Sequence, residues 1–282
     1  MAHCRTEAAE ALLDEEVKVL DHGFVRLVDY MGGDGRIVQA ARVSYGDGTK
    51  TPSEDAALIN YLMRHRHTSP FEQVELTFHC KMPIFVARQW VRHRTASLNE
   101  MSGRYSEMPE QTYLPELQQV RAQSKVNKQG RDEFIGQTAA EHYLDRTGIH
   151  AHNDFIAYRE SLDQGVAREL ARIILPLSTY TEWYWKIDLH NLFHFLDLRL
   201  DEHAQYEIRQ YAKVMYDMAR TVAPAACEAF RKYVLEAVTF TRDDAERWEQ
   251  YTKLHPAEWM EDATSEDKEF VAKLEKLGLA KF

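Results

Sequence analysis

Apolar and polar residues alternate most regularly between Val74 and Met82, where Val74, Leu76, Phe78, Cys80 and Met82 interleave with Glu75, Thr77, His79 and Lys81. A period of two predicts a strand with one buried face. Thr179, Thr181, Trp183, Trp185 and Ile187 repeat the pattern and predict a second strand. Two shorter apolar runs within 16–31 flank Asp21-His22-Gly23 and read as strands meeting at a turn. Elsewhere the spacing is helical. Thr51-Pro52-Ser53-Glu54 is a capping box with proline at the first helical position, followed by a face of Ala57, Leu58, Tyr61 and Leu62. That helix should stop before Thr68-Ser69-Pro70. Pro83 should start a helix through Trp90, and others are predicted over 137–162, over 166–175 ending at Pro176, and from Leu189 to about 236. Residues 116–135 are polar and read as a surface excursion. The expected architecture is α+β: a helix-rich single domain around an antiparallel or mixed sheet, spanning 1–236, with 237–282 as a peripheral helical tail.

Composition narrows the function classes. The chain has 282 residues, 44% of them apolar and 28% charged, as in a folded globular protein. No apolar run reaches the ~18–20 residues of a bilayer span, and the acidic start MAHCRTEAAEALLDEE lacks a signal-peptide layout. A cytoplasmic protein is expected, with no membrane partner. The net charge of −10 argues against nucleic acid as a partner, so an anionic ligand needs a local cationic cluster. Cys4, Cys80 and Cys227 are odd in number and far apart, which excludes a disulfide scaffold and a cysteine-rich zinc site.

Such a cluster lies in 86–106, VARQWVRHRTASLNEMSGRYS, where Arg88, Arg92, Arg94 and Arg104 face one carboxylate, Glu100. The planar arginine fork suits phosphate, and Ser97, Ser102 and Gly103 add small donors and close backbone approach. A solvated basic loop, a nucleic-acid patch and a pocket for a phosphorylated small molecule all remain readings of this segment. Mixed arginines, serines and one carboxylate suit the third best.

Arg92-His93-Arg94 followed by Ser102, within RHRTASLNEMSGRYS, resembles the signature of flavin-dependent thymidylate synthases. The likeness extends to ARVSY (41–45), HTSPFEQ (67–73), FVARQW (85–90), ARIILPL (171–177) and NLFHFLDLR (191–199). It implies reductive methylation of dUMP to dTMP, with 5,10-methylenetetrahydrofolate as carbon donor, FAD as cofactor, NADPH as reductant and no cysteine nucleophile. It also implies a homotetramer with active sites shared between subunits. Carried over by position, Gln89, Arg92, Glu100, Ser102, Arg104, Arg172 and Arg199 meet dUMP. Ser44, Ser69, Arg92, His93, Arg94, Glu100, Asp188, His190 and His194 meet FAD, and His67 lies on the folate side. Ser69 stands where relatives often carry threonine, and Asp188-Leu189-His190 where some carry Asn-x-Arg.

His190 and His194 share one helical face, which is metal-ligand spacing, but HNLFH lacks the glutamate of the zinc-protease motif. No metal is expected. A metal-dependent hydrolase and a non-catalytic nucleotide-binding module are the competing functions. Arg199 is the catalytic candidate: a guanidinium beside uracil stabilises charge at N3 and O4 and makes C5 more nucleophilic. The alternative is a surface pairing with Asp201 or Glu202.

Overall fold

The computed structural model describes residues 4–43, 52–125, 128–251 and 264–279, and the chain divides into two compact units, Met1–Phe230 and Arg231–Phe282. In the first unit the described strands are β1 (Glu16–Val19), β2 (Gly23–Met31), β3 (Glu75–Pro83), β4 (Ser97–Glu100), β5 (Arg121–Gln123), β6 (Arg131–Phe134) and β7 (Tyr180–Asp188). The described helices are α1 (Glu7–Glu10), α2 (Asp34–Arg42), α3 (Pro52–Arg64), α4 (Ile84–Trp90), α5 (Gln137–Asp163), α6 (Arg168–Ala171), α7 (Leu189–Leu200), α8 (Tyr206–Val222) and α9 (Pro224–Phe230). Five strands form one sheet in the order β1-β2-β3-β7-β4, with every neighbouring pair antiparallel. The fold is α+β as expected, and the sheet is antiparallel rather than mixed. Among the described residues no helix is long and apolar enough to cross a membrane.

The two alternating segments become the central strands because both bury one face. Val25, Cys80 and Trp183 stand in register, as do Leu27, Phe78 and Trp185, and all six are buried. These side chains meet α4, α7 and α8, which hold the core of the unit. The opposite face carries Arg26, His79 and Tyr184 in register. There His79 is held between Arg26 (2.6 Å) and Glu182 (2.5 Å) and stacks on Tyr184. The turn read at Asp21-His22-Gly23 joins β1 to β2. Asp21 fastens it by accepting from Tyr180 Oη (2.5 Å) and from the Leu114 N–H (3.0 Å).

Several helical expectations needed correction. The capping box at Thr51 lies outside the described residues. In α3 the buried side chains are Ile59 and Leu62, whereas Ala57 and Tyr61 are exposed. Neighbours on two sides, α2 and α9, decide which stripe is covered. The helix predicted over 166–175 is only α6 followed by a tighter 3-10 turn, Arg172–Ile174, because Leu175 is already extended before Pro176. The helical run does reach 235, close to the expected 236, with its last turn, Arg231–Leu235, widened from α to π geometry. The polar surface excursion carries an exposed antiparallel hairpin, β5-β6, within 121–134.

A smaller core of Phe155, Tyr158 and Ala171, with Met108, Leu162 and Leu175 against it, packs α5 on α6. Met108 is fixed there by its N–H to Tyr158 Oη (3.1 Å). In the second unit, α10 (Arg242–Tyr251) and α11 (Ser265–Lys276) are tied by Lys273 Nζ donating to Asp244 (2.8 Å). That bond, followed by the Thr241 N–H, pulls the Asp244 carboxyl down to about 2.

Gly23 shows how tightly the first unit closes. A Cβ there would lie 2.1 Å from Tyr211 Oη and 2.7 Å from the carbonyl oxygens of Lys81 and Val19. Tyr211 Oη meanwhile donates to the Lys81 carbonyl (2.8 Å). Gly23→Ala should therefore lower stability toward the upper end of the ~1–3 kcal/mol typical of overpacking. Gly35→Ala, in α2 with nothing within 4 Å of the added carbon, should be neutral or gain up to ~1 kcal/mol. Urea midpoints of the two variants check the contrast.

Candidate active site

The FVARQW segment becomes α4, seven residues long, with Val86, Ala87 and Trp90 buried and Arg88 exposed. Its last turn sets Gln89 on a half-buried flank and delivers the chain into Arg92-His93-Arg94. His93 is pressed edge-on against Phe195 (4.9 Å) and His194 (5.9 Å) of α7. Arg199, one turn further along α7, donates its Nε to His93 Nε2 at 3.1 Å. The expected halves of the site, 106 residues apart in sequence, thus meet directly. Among the described residues the Arg199 side-chain hydrogen bond goes to His93, not to Asp201 or Glu202.

That bond defines the protonation of the ring. His93 Nε2 accepts, so the imidazole is neutral with its proton on Nδ1. Burial, then the Arg199 charge, then His194 push the ring down to about 4. Burial lowers the Arg199 guanidinium as well. A half-buried cation with an uncharged hydrogen-bond partner keeps its full charge for whatever lies beside it.

A second group forms around Ser102-Gly103-Arg104. Glu100 lies on β4 opposite Trp183, and its carboxylate accepts from Thr181 Oγ1 (2.5 Å). The chain then turns at Ser102, whose carbonyl accepts from the N–H groups of Tyr105 and Ser106. A Cβ on Gly103 would lie 2.8 Å from the Met108 sulfur and 3.1 Å from Arg172 Cδ. A side chain here would require Met108 and Arg172 to shift away from the turn. Arg104 Nε meets Glu169 at 3.1 Å, an exposed pair of little energetic weight.

The other expected residues make no side-chain hydrogen bond to either group among the described residues. Arg92 and Arg94 are exposed and make no side-chain hydrogen bond or ion pair among the described residues. Asp188 caps α7, accepting from the Asn191 N–H (2.9 Å) and Nδ2 (2.7 Å), so both its oxygens are engaged. His190 is half-buried and His194 exposed on α7. Ser69 is exposed and lines an open cavity of about 380 Å³ with Arg36, Gln39 and Gln73. His67 is exposed, with its ring 6.0 Å from Tyr61. Ser44 lies outside the described residues. No group of three His, Cys, Asp or Glu side chains among the described residues is arranged to hold a metal.

Two participants escaped the sequence reading. Gln205 Oε1 accepts from Gln89 Nε2, and no local pattern marks it. Thr181, the partner of Glu100, did carry a signal: like Thr179 it is a hydroxyl at an inward position of an alternation that is apolar from Trp183 onward.

Residues 26–225 match the family described as Thymidylate synthase complementing protein, Thy1. A protein of Treponema denticola is 58% identical over 235 residues, covering 83% of this chain and 88% of its own length. One of Thermus thermophilus is 57% identical over 228 residues, covering 81% and 83%. Both are named flavin-dependent thymidylate synthase. The solved UMP/dUMP methylase PolB of Streptomyces cacaoi, bound with 5-Br dUMP, superposes with a TM-score of 0.70 at 34% identity, over 77% of this chain and 98% of that one. Fold and relatives together define an enzyme of the methyltransferase class. The chain belongs to the family of flavin-dependent thymidylate synthases.

The His93–Arg199 pair makes a direct prediction. The ring should titrate near 4 rather than at 6.5, as followed by its NMR resonances through an acid titration. Arg199→Ala should raise that value only part of the way, since burial is the larger cause. Between about 4 and 6.5 the unfolded chain binds the extra proton and the folded protein does not. This residue's contribution to stability is therefore complete above 6.5 and disappears as pH falls through about 4.

Proposed function

We propose that this enzyme methylates dUMP reductively to dTMP, using 5,10-methylenetetrahydrofolate as carbon donor, FAD as cofactor and NADPH as reductant, in the cytoplasm. The observation that carries the reading is the contact between the Arg92-His93-Arg94 signature and Arg199. Gln89, Arg92, Glu100, Ser102, Arg104, Arg172 and Arg199 are assigned to the nucleotide. Its phosphate suits the turn at Gly103, which carries the Ser102 hydroxyl and Arg104 and which Arg172 approaches closely; Arg104 would exchange its exposed partner Glu169 for the phosphate.

The residues present fit an anionic dinucleotide. Among the described residues Arg92 and Arg94 are cations without an acid partner, in a chain of net charge −10, the charge arrangement a diphosphate needs. With them, Ser69, His93, Glu100, His190 and His194 would hold FAD, together with Ser44. Asp188 would act through the helix it caps, by setting where His190 and His194 stand. When bound, FAD supplies the hydride chemistry that completes the methyl group. His67 is assigned to the folate side.

The chain's own task is electrostatic. With Nε committed to His93, the two Nη groups of Arg199 remain for the uracil edge. Charge that develops at N3 and O4 as C5 attacks the donated carbon then meets a cation that is already oriented and half desolvated. No cysteine nucleophile is required in this scheme. Cys80 and Cys227 are buried, and burial pushes both thiols up, away from reactive thiolate.

Assembly is part of the proposal. Leu170, Ile173 and Leu177 are exposed at 57%, 74% and 65%, on either side of Arg172. Such a strip suits burial against other copies of the chain. A homotetramer with shared sites would also bring together residues that one chain leaves apart.

Two experiments test this reading. Purified protein should take up FAD and form dTMP from dUMP, methylenetetrahydrofolate and NADPH. Arg199→Ala should retain FAD and its reduction by NADPH but make dTMP at least ~100-fold more slowly. Arg199→Lys should also be impaired, because it keeps the charge and loses the fork. Normal synthesis by the alanine variant refutes the catalytic assignment. Separately, Ile173→Asp should shift light-scattering mass from tetramer to smaller species and lower activity in parallel. An unchanged mass removes this strip from the interface.

A further inference from the structure

Glu207 is fully buried, at 0% exposure, on the face of α8 that also buries Ile208, Tyr211 and Met215. An acid at a core position must be matched by donors, and three side chains supply them. Tyr113 Oη donates to Oε1 (3.0 Å), Arg131 Nη2 to Oε1 (2.5 Å) and Gln205 Nε2 to Oε2 (2.8 Å). Arg131 lies on β6 of the polar excursion, which is thereby pinned to the core. The carbonyl oxygen of Gln205 accepts in turn from the Nε2 of Gln89. A continuous path therefore runs from Arg131 through Glu207 and Gln205 to Gln89.

Chemistry gives this path a direction. A carboxylate paired with a guanidinium accepts and cannot donate. Gln205 must turn its amino group toward Glu207, which leaves its carbonyl toward Gln89. Gln89 must answer with its own amino group, so its carbonyl oxygen is the end left without a partner on this path. We infer that Glu207 is a positioning residue for base recognition: acting through Gln205, it fixes which end of the Gln89 amide is offered to the nucleotide. The inference rests on the reading above that Gln89 meets dUMP. Uracil carries an N3–H donor flanked by carbonyl acceptors, whereas cytosine has an acceptor at N3 and an amino donor at C4. Where it meets N3, a Gln89 carbonyl of committed polarity accepts from uracil and finds only a lone pair on cytosine, whereas an amide free to turn offers either end to both.

The test uses the FAD-loaded enzyme, with calorimetric binding of dUMP and dCMP and steady-state kinetics in dUMP. Glu207→Gln keeps the shape but can donate, and Gln205→Met removes the relay while keeping the volume. Each should raise KM for dUMP about tenfold, the effect of one hydrogen bond's worth of binding, and leave kcat at saturation within about twofold. Each should also narrow the gap between dUMP and dCMP affinity. The double variant should be no worse than Gln205→Met alone, since Glu207 acts through that residue. Additive losses, or a normal KM and base preference in Gln205→Met, overturn the inference, and this variant decides the matter if Glu207→Gln fails to fold. Gln89→Ala separates the two levels of argument. If it binds dUMP as the unaltered enzyme does, the placement of Gln89 fails and the inference falls with it. If it binds weakly while both other variants bind normally, only the inference fails.

Discussion

Trp90, at 0% exposure, meets four aromatic rings from three other elements. Trp183 and Trp185 of β7 lie edge-on at 5.4 Å, Phe195 of α7 stacks at 5.0 Å, and Tyr211 of α8 stands at 5.8 Å. Each such pair is worth about 0.5–1.5 kcal/mol beyond the area it buries. α4 is too short to hold its own geometry in water, so this packing determines where it sits. Gln89 precedes the anchor and Arg92-His93-Arg94 follows it within one turn. Phe195 also presses on His93, so the ring that seats the tryptophan orients the histidine that holds Arg199. The candidate active site inherits its precision from an aromatic cluster that takes no part in the chemistry.

Around that anchor, charge is distributed with economy. The chain is strongly acidic, yet the Arg92 and Arg94 side chains have no acid among the described residues. Arg199 is held by a neutral ring, and a neighbouring carboxylate would have cancelled much of its field at short range. Acids that do enter the region have partners of their own: Asp188 at the start of α7, Glu100 in Thr181, and Glu207 in three donors. Positive potential is left for anionic reactants, while these carboxylates, Glu207 buried among them, serve as acceptors that orient other groups. The exposed apolar strip around Arg172 would follow the same logic at the level of assembly, setting a surface suited to other copies next to an arginine proposed to meet the phosphate.

Amino-acid order alone determined the elements whose signals are local. Alternation over Val74–Met82 and Thr179–Ile187 specifies strands because a period of two leaves one face for the core, and the two segments are the sheet's central partners, β3 and β7. The 27-residue α5, the helix opened by Pro83 and the turn before Gly23 were legible for the same reason. The motif resemblance identified the family, because an enzyme's reacting residues are held in short segments whose spacing survives divergence. Tertiary structure decided the rest. Which stripe of α3 is buried depends on α2 and α9, not on α3 itself. Likewise Arg199 reaches His93 across 106 residues, Thr181 reaches Glu100 across 81, and Gln89 reaches Gln205 across 116. Local periodicity carries no information about such pairs. They exist because strand order and the seating of Trp90 bring distant segments within hydrogen-bond range, and only there does a buried acid such as Glu207 find the donors that make its burial tolerable.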